Sequence, residues 1–538
     1  MSEVPPPQTG KPPQWQLWTR ILSCCRWLGH QPIGAIVTLG LVGGFGSAFV
    51  GLVFGLPVPE GHDEFAYLLA ADTFAEGRLT NPTHPHWEHF ESFHIVHEPT
   101  YQAKYPPGQG LFLALGKVLS GHPAAGVWLS IGLLTGTLTW TLLVWLPPAW
   151  AILLSSLATA QIGLISYWAQ SYWGGAVAGI GGALVIGAYG IILSESRVRA
   201  GLILGVGLVF LAFSRPFEGA ILGVVLGIAL LWRGIWLTQP GSPSIISKGL
   251  TPAGIVVIVG LGALGVYNHA VTGSVVTMPY QVHETQYAAA PTLVFRQIED
   301  PPTYRHTEIE RYWMEWGKAR HEAHHSVTSF GSATVGKLAR VLVFFLGPAA
   351  LALLVAGMAR SARPQPALAV GLLAIVAAAL LTKGAYPHYL APATALFFLV
   401  TGNGLRYLHR RARRKRTPWN LSALLVAASF LIILIAFFSS ARTSSGSFGT
   451  QRESVKEQIL TSAAGPHLVL VSYRPDHNYH EEWVYNHASI DEAEVVWARS
   501  MGAERDAELR AYFRHHTTWQ LTVGREGTQL AFLGIGPN

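Results

Sequence analysis

The chain has 538 residues; half are apolar and 12% are charged, against roughly 25% charged residues in a soluble domain. This composition excludes an ordinary cytosolic protein, a disordered chain and a collagen-like chain. The two cysteines, Cys24 and Cys25, are adjacent and cannot build a disulfide framework. The net charge of +7 comes from basic residues that flank apolar stretches, so membrane topology explains it and we expect no nucleic-acid partner.

The N-terminal segment 1–32 is predicted to be cytoplasmic. Trp15, Trp18, Leu22 and Cys25 recur at helical spacing, which is typical of a helix lying in the headgroup layer. No small-residue cleavage site follows the first apolar stretch, so we interpret that stretch as an uncleaved anchor.

Apolar stretches long enough to cross a bilayer then recur along residues 33–440. A membrane-spanning helix needs about 20 apolar residues. The sequence predicts eleven spans, at 33–55, 124–146, 148–166, 174–194, 199–214, 216–233, 250–270, 335–358, 365–382, 386–404 and 419–439. The stretch 109–120 is too short to cross and is predicted to be an interfacial or re-entrant helix. We therefore expect an α-helical polytopic membrane protein, in contact with membrane lipids, with juxtamembrane helices in its first outer loop.

Lys and Arg residues predict the orientation, because they stay on the cytoplasmic side of short loops. They place the loops 56–123 and 271–334 and the tail 441–538 on the extracytoplasmic side, with the bacterial inner membrane as the expected location. The basic run 406–416 is explained as a stop-transfer anchor or a contact to anionic lipid.

The tail 441–538 is predicted to be a small extracytoplasmic α/β domain. Alternating apolar residues predict strands at 467–473, 518–523 and 529–535, and helical periodicity predicts helices at 491–502 and 505–515.

The first outer loop contains the most informative residues. It opens with GHDEFAYLLAADTFAEGRL, in which Asp63 and Glu64 begin an apolar helix at the lipid boundary. The loop ends with Lys104, Tyr105 and two prolines that restrict the backbone. We expect the carboxylate and the cation to share one site, although capping of the helix by the acidic pair is the alternative.

These residues resemble the integral-membrane glycosyltransferases of the C superfamily, and in particular the protein mannosyltransferase and aminoarabinose transferase branch. The resemblance covers the first loop and the topology to about residue 400, but not the tail. It implies transfer of a sugar from a polyprenyl-phosphate donor to a glycan, lipid or protein acceptor on the outer face. It matches Asp63 to the catalytic acid, Glu64 to its acidic neighbour, and Lys104 with Pro106 and Pro107 to the phosphate-side motif.

The residue inventory suits that chemistry. Attack of a hydroxyl on a sugar phosphate needs a base and cations for the leaving phosphate. Asp63 is the predicted base, and one direct displacement predicts inversion. Lys104, Arg215 and His388 are predicted phosphate contacts, but Arg215 with Glu218 in SRPFEG is equally typical of an ion pair that closes a turn.

Aromatic and histidine-rich segments leave further alternatives open. Tyr105, Tyr167, Trp168, Tyr172 and Trp173 are candidate substrate contacts, or an interfacial aromatic belt. The region of His84, His86 and His89 is rich in imidazole and carboxylate and is a candidate divalent metal site, although its spacing matches no named motif and a wet, flexible histidine-rich loop is the alternative. We therefore assign no metal ligand.

A lipid or solute transporter or channel without transferase activity is the rival hypothesis. A transporter is expected to show paired repeats and ionisable residues in the middle of several spans. The sequence instead gathers ionisable residues on one face, which favours an enzyme.

Overall fold

The structure is a computed structural model that describes residues 13–236, 244–298, 300–324, 326–347, 365–417, 420–440 and 446–535. Most of these residues are helical. The α-helices are Pro13–Gly29, Pro32–Phe54, His62–Ala75, Trp87–Phe90, Gly108–Ser120, Ala124–Trp145, Pro148–Ala158, Ala176–Glu195, Val198–Ala212, Pro216–Trp236, Thr251–Thr272, Pro279–Tyr287, Thr307–Arg311, Ala319–Glu322, Val327–Leu346, Pro366–Leu380, Thr394–Lys415, Leu421–Ser440, Phe448–Ser462 and Ala503–Tyr512. Short π or 3-10 segments are Thr159–Leu164, Ile246–Leu250, Tyr312–Lys318, Pro387–Tyr389 and Ala391–Ala393.

The described helices show an integral membrane protein. Six of them are long and apolar enough to cross a bilayer: Pro32–Phe54, Ala124–Trp145, Ala176–Glu195, Pro216–Trp236, Ile246–Thr272 and Leu421–Phe438. Shorter apolar helices occupy Pro148–Leu164, Val198–Ala212 and Pro366–Leu380. Nine of the eleven predicted spans therefore coincide with an apolar helix, and the total of eleven remains a prediction.

The other two predicted spans differ from the structure. The stretch 335–358 begins inside the helix Val327–Leu346, and its part beyond residue 347 lies outside the described residues. The stretch 386–404 starts with two 3-10 turns, and its helix runs from Thr394 on to Lys415. Proline at positions 387 and 392 explains the late start, because proline lacks the backbone N–H that a helix interior needs.

The N-terminal helix Pro13–Gly29 packs on the protein with the face that was expected to contact headgroups. Trp18 is buried against Trp150, and Leu22 and Cys25 pack against the same membrane core. The apolar side chains that this helix leaves exposed are others, including Leu17. Helical spacing identified an apolar stripe correctly but did not reveal which surface that stripe contacts.

The first outer loop is folded, and His84, His89, His94 and His97 are buried, so its histidine-rich part is not solvent-exposed. Its helix His62–Ala75 is almost entirely buried, and a two-stranded antiparallel ribbon pairs β1 (Ile95–Val96) with β2 (Gln102–Ala103). The helix Gly108–Ser120 has 13 residues, too few to cross a bilayer, and it exposes apolar side chains such as Val118 and Leu119.

The C-terminal region forms a four-stranded sheet in the order β4–β3–β5–β6, from Val495–Arg499, His467–Tyr473, Thr517–Gly524 and Gly527–Ile535. β3 runs parallel to β4 and β5, and β6 is antiparallel to β5. The helix predicted at 491–502 is wrong because β4 occupies its centre. Every residue of β4 is buried, so the strand lacks the alternation that reveals strands in a sequence.

The sheet and the first outer loop share one hydrophobic core. Phe65 of the juxtamembrane helix stacks on Tyr485, with 4.2 Å between ring centroids and an interplanar angle of 2°. The Arg452 guanidinium lies over the Phe65 ring, 5.0 Å from its centroid, and donates to the Tyr485 carbonyl at 2.9 Å. Residues 446–535 therefore pack with the loop 56–123 in one layer, which we call the outer layer after its predicted side of the membrane.

Candidate active site

The juxtamembrane helix His62–Ala75 fixes the position of Asp63. Its N-cap is Gly61, so Asp63 lies in the first turn without being the cap. A carboxylate there is favoured by the helix dipole. The capping alternative for Asp63 is therefore not what the structure shows, and its side chain lines a cavity at the start of the helix.

Two side chains contact the Asp63 carboxylate. The Tyr105 hydroxyl donates a hydrogen bond to Oδ1 of Asp63, and His94 Nδ1 lies 3.3 Å from the same oxygen. His94 Nε2 in turn lies 3.1 Å from the Tyr312 hydroxyl. Burial acts to raise the pKa of Asp63, but His94 and the nearby Lys104 outweigh it and hold that pKa below its ordinary value. Asp63 is thus ionised at neutral pH.

Glu64 has a different position from Asp63. Its Oε2 accepts hydrogen bonds from the backbone N–H groups of Glu60 at 2.9 Å and Gly61 at 3.2 Å, and its Oε1 accepts one from Tyr172 at 2.9 Å. Burial raises the pKa of Glu64 to about 7 despite these donors. Glu64 does not line the cavity, and the structure places this residue, predicted as catalytic, in hydrogen bonds at the helix start.

Lys104 and Arg215 reach the cavity from neighbouring segments. Lys104 follows β2, and its backbone N–H donates to the His94 carbonyl at 3.1 Å. Four residues on, the Gly108 N–H donates to the Phe213 carbonyl at 2.7 Å, and a Cβ at Gly108 would lie 2.6 Å from that oxygen. Glycine thus allows the close approach that brings Lys104 and Arg215 to one cavity. Arg215 lies over the Tyr389 ring, 4.4 Å from its centroid.

The cavity has a volume of about 480 Å³. Acids and cations from four parts of the chain line it: Glu60, Asp63, Lys104, Arg215, Glu284, Arg320 and Lys383. Burial lowers the pKa of Lys104 to about 8, although Asp63 opposes this shift. Asp63 and Lys104 thus line the same cavity, as the sequence predicts.

Sequence reasoning missed two of the cations. Lys383 donates to the Ala290 carbonyl at 2.9 Å, and burial lowers its pKa to about 8. Arg320 donates to the Tyr386 hydroxyl at 3.1 Å and lies over the Trp316 ring. Both residues lie in segments predicted to be extracytoplasmic, and this was the one sequence feature that could have identified them. Neither belongs to a motif.

The structure separates the predicted aromatic contacts. Trp173 and Tyr105 line the cavity. Trp168 is fully buried behind it, and the Tyr172 hydroxyl donates to the Pro57 carbonyl at 2.7 Å. Tyr167 Oη lies 2.9 Å from Nδ1 of His388, which lines the cavity. The residues that support the cavity wall but do not line the cavity are therefore Tyr167, Trp168 and Tyr172.

The histidine-rich segment contacts the C-terminal region. His84 Nε2 lies 2.9 Å from Oδ1 of Asp491, and His89 Nδ1 lies 2.8 Å from the Arg499 carbonyl oxygen. His86 donates its backbone N–H to His84 Nδ1 at 3.0 Å. Among the described residues, no group of three or more His, Cys, Asp or Glu side chains is arranged to hold a metal ion. His84 and His89 thus join the first outer loop to the C-terminal region, and the metal site stays a prediction.

The C-terminal region also contributes to the cavity. His480 lines it, with its ring centroid 5.4 Å from Trp316 and 5.8 Å from Tyr312. Next to this wall, His62 Nδ1 lies 2.8 Å from the Tyr485 hydroxyl. No local signal in the sequence linked residue 480 with residue 63.

Comparison with known proteins gives fold relatives only. No family model and no curated protein matches the chain. ArnT from Cupriavidus metallidurans, bound to undecaprenyl phosphate, has a TM-score of 0.51 and 12% identity, over 90% of this chain and 92% of that chain. Apo ArnT gives the same values. The oligosaccharyltransferase of Archaeoglobus fulgidus, in complex with Zn and sulfate, has a TM-score of 0.46 and 10% identity, over 90% of this chain and 67% of that chain.

The chain shares its fold with ArnT, as the first-loop resemblance implied. The unmatched tenth of the chain is shorter than the tail 441–538. The similarity to ArnT therefore extends into the C-terminal region, beyond the limit at about residue 400 expected from the motifs.

Proposed function

We propose that the chain is a membrane glycosyltransferase that moves a sugar from a polyprenyl-phosphate-linked donor to an acceptor. The observation that carries this proposal is the cavity of about 480 Å³ at the end of the membrane helices, in which the ionised Asp63 carboxylate and several cations line the walls. The fold shared with ArnT, which was solved with undecaprenyl phosphate, supports the same donor class.

The proposed reaction is a single inverting displacement. An acceptor hydroxyl attacks the anomeric carbon, the new carbon–oxygen bond forms, and the bond between that carbon and the phosphate oxygen breaks. Asp63 takes the hydroxyl proton, a role typically worth about 10² to 10⁴ in rate. The polyprenyl phosphate leaves with its negative charge stabilised by Lys104 and Arg215, and Lys383 and Arg320 extend the same cationic wall.

We further propose that the cavity opens on the extracytoplasmic side of a bacterial inner membrane. The basic run 406–416 covers the C-terminal part of the helix Thr394–Lys415, whose other end lies beside His388 at the cavity. Such a run is typical of the cytoplasmic side. The acceptor is a glycan, lipid or protein that reaches the cavity from outside.

The transporter hypothesis has no comparable support. In the six long apolar helices of the described chain, Asp, Glu, Lys and Arg occur only in the first or last turns, as at Glu218 and Arg233. A transport pathway is expected to place such groups near the bilayer midplane.

The test compares Asp63→Asn with wild type in reconstituted vesicles. The lipid-linked sugar that co-purifies with the protein is first identified by mass spectrometry, and its transfer is then followed with an isotope label. We expect Asp63→Asn to fold normally, because Asn accepts the Tyr105 hydrogen bond, and to lose roughly 10²-fold or more of the turnover.

Asp72→Asn is the matched control. Asp72 lies on the same helix, and its carboxylate also contacts a histidine and a lysine, His487 and Lys117, each at 2.7 Å, but it does not line the cavity. The control should keep most of its turnover. Equal losses in the two variants, or full turnover in Asp63→Asn, contradict the proposed base.

A further inference from the structure

A second cavity, of about 470 Å³, lies at the other end of the membrane helices. We call it the basic pocket; its lining includes Trp15, Arg26, His409, Arg413, Arg416 and Thr417. The 23-residue helix Pro32–Phe54 separates the N-terminal helix from the Asp63 loop by about 34 Å. In the helix Thr394–Lys415, the rise from Thr394 to the pocket residues His409 and Arg413 is about 23 to 29 Å. These distances are comparable with a hydrocarbon core of roughly 30 Å.

Aromatic rings build the floor of the basic pocket around His409. Trp18 Nε1 donates to His409 Nδ1 at 3.2 Å, and the rings of Trp15 and Trp150 lie 5.8 Å and 5.6 Å from the imidazole. An indole nitrogen only donates, so Nδ1 is the acceptor and the neutral imidazole carries its hydrogen on Nε2. The floor is thus packed and offers a donor beside the arginines.

Positive charge around the pocket is unbalanced. The helix Pro13–Gly29 carries two arginines, the segment 394–417 carries seven Lys or Arg residues, and neither contains Asp or Glu. These nine cations exceed the net charge of +7 of the whole chain. Arg416 also adopts φ 49° at a helix end, where glycine is usual. Topology alone requires neither a cavity nor an arginine in that conformation.

We propose that the basic pocket binds the phosphate of an anionic phospholipid from the adjacent leaflet. Guanidinium groups present paired donors that match phosphate oxygens. A lipid is favoured over a soluble phosphate because the same N-terminal helix exposes Leu17 (63%) and Trp27 (67%), which acyl chains cover and a soluble anion does not. The site is separate from the transferase cavity and does not depend on its activity.

The experiment measures lipid retention by the full-length protein. Purified protein in mild detergent is mixed with phosphatidylglycerol, phosphatidylcholine or inorganic phosphate, and bound molecules are counted by native mass spectrometry. We expect preferential retention of phosphatidylglycerol. The triple variant Arg26→Gln, Arg413→Gln, Arg416→Gln should weaken it by roughly tenfold or more, since each cation near anionic lipid contributes about fivefold.

A matched triple variant removes the same charge outside the pocket. Arg20→Gln, Arg410→Gln, Arg411→Gln takes one arginine from the N-terminal helix and two from the second helix, and none of the three lines the pocket. This control should retain phosphatidylglycerol within about twofold of wild type, as expected for exposed charges. If both triple variants lose the same amount of bound phosphatidylglycerol, the proposal is overturned, because retention then depends only on net charge.

Two further outcomes also decide the proposal. Competition by inorganic phosphate at the same concentration as the lipid overturns the lipid assignment in favour of a soluble anion. If the pocket triple does not accumulate, the single variants Arg413→Gln and Arg416→Gln are measured in the same way. Unchanged retention in both overturns the site, and a severalfold loss in either supports it.

Discussion

The cavity around Asp63 and the basic pocket lie at opposite ends of the same helices and hold positive charge differently. At the Asp63 cavity the cations include lysines, are packed among aromatic rings and face carboxylates. In the basic pocket the cations are arginines, and none of the described lining residues is acidic. This difference fits the two proposals, since the proposed transfer develops and releases charge at the Asp63 cavity, whereas the proposed lipid site only holds an anion.

The two regions also differ in how their charges affect stability. In the outer layer, charged side chains are buried as ion pairs. Arg499 is 3% exposed, and it bonds Glu482 at 2.7 Å and Glu308 at 3.1 Å. Its loss leaves carboxylates unpaired in the core shared by the first loop and the C-terminal sheet. We expect Arg499→Ala to lower the free energy of unfolding by about 3 to 5 kcal/mol, measured by denaturation in detergent.

Arg505→Ala is the control for that prediction. Arg505 pairs with Glu88 but is 50% exposed, so its loss should cost less than about 1 kcal/mol. If both substitutions lower the free energy of unfolding equally, burial of ion pairs does not distinguish the outer layer from the basic pocket.

The next largest effect is expected on donor binding. Lys104→Ala removes a charge-assisted contact to the leaving phosphate, so it should weaken binding of undecaprenyl phosphate by about 10- to 100-fold. The KM for the acceptor should change much less. Lys318→Ala is the control, because Lys318 pairs with Glu322 and does not line the cavity. Equal changes for donor and acceptor would count against a phosphate role of Lys104.

The smallest expected effect is a pH dependence that separates the two sites. Burial lowers the pKa of Lys104 to about 8, so its charge is present at pH 7 and is lost as the pH rises through 8. Binding of undecaprenyl phosphate should fall severalfold between pH 7 and 9. The fall should be smaller in Lys104→Arg, because arginine stays charged.

Lipid retention at the basic pocket should stay constant over the same pH range, because its lining cations are arginines. Parallel pH profiles for the two sites would remove this difference between them.

Much of the fold could be predicted, because each span carries its own signal in about 20 consecutive apolar residues. β4 and the stripe of the N-terminal helix show the limit. A fully buried strand lacks the alternation of apolar and polar residues that reveals a strand. An apolar stripe on a helix has the same composition whether it contacts lipid or protein. The candidate site shows the same limit at Asp63 and Glu64, which are adjacent and chemically alike, yet only Asp63 faces the cavity.

The sequence by itself determined a membrane protein with an acid and a cation at the two ends of its first outer loop, because hydropathy and proline restriction act locally. The tertiary structure alone decided that Arg320, Lys383 and His480 join Asp63. It also decided that the histidines bind the C-terminal region and that two helix ends enclose the basic pocket. These contacts join residues hundreds of positions apart, and packing of the whole chain determines them.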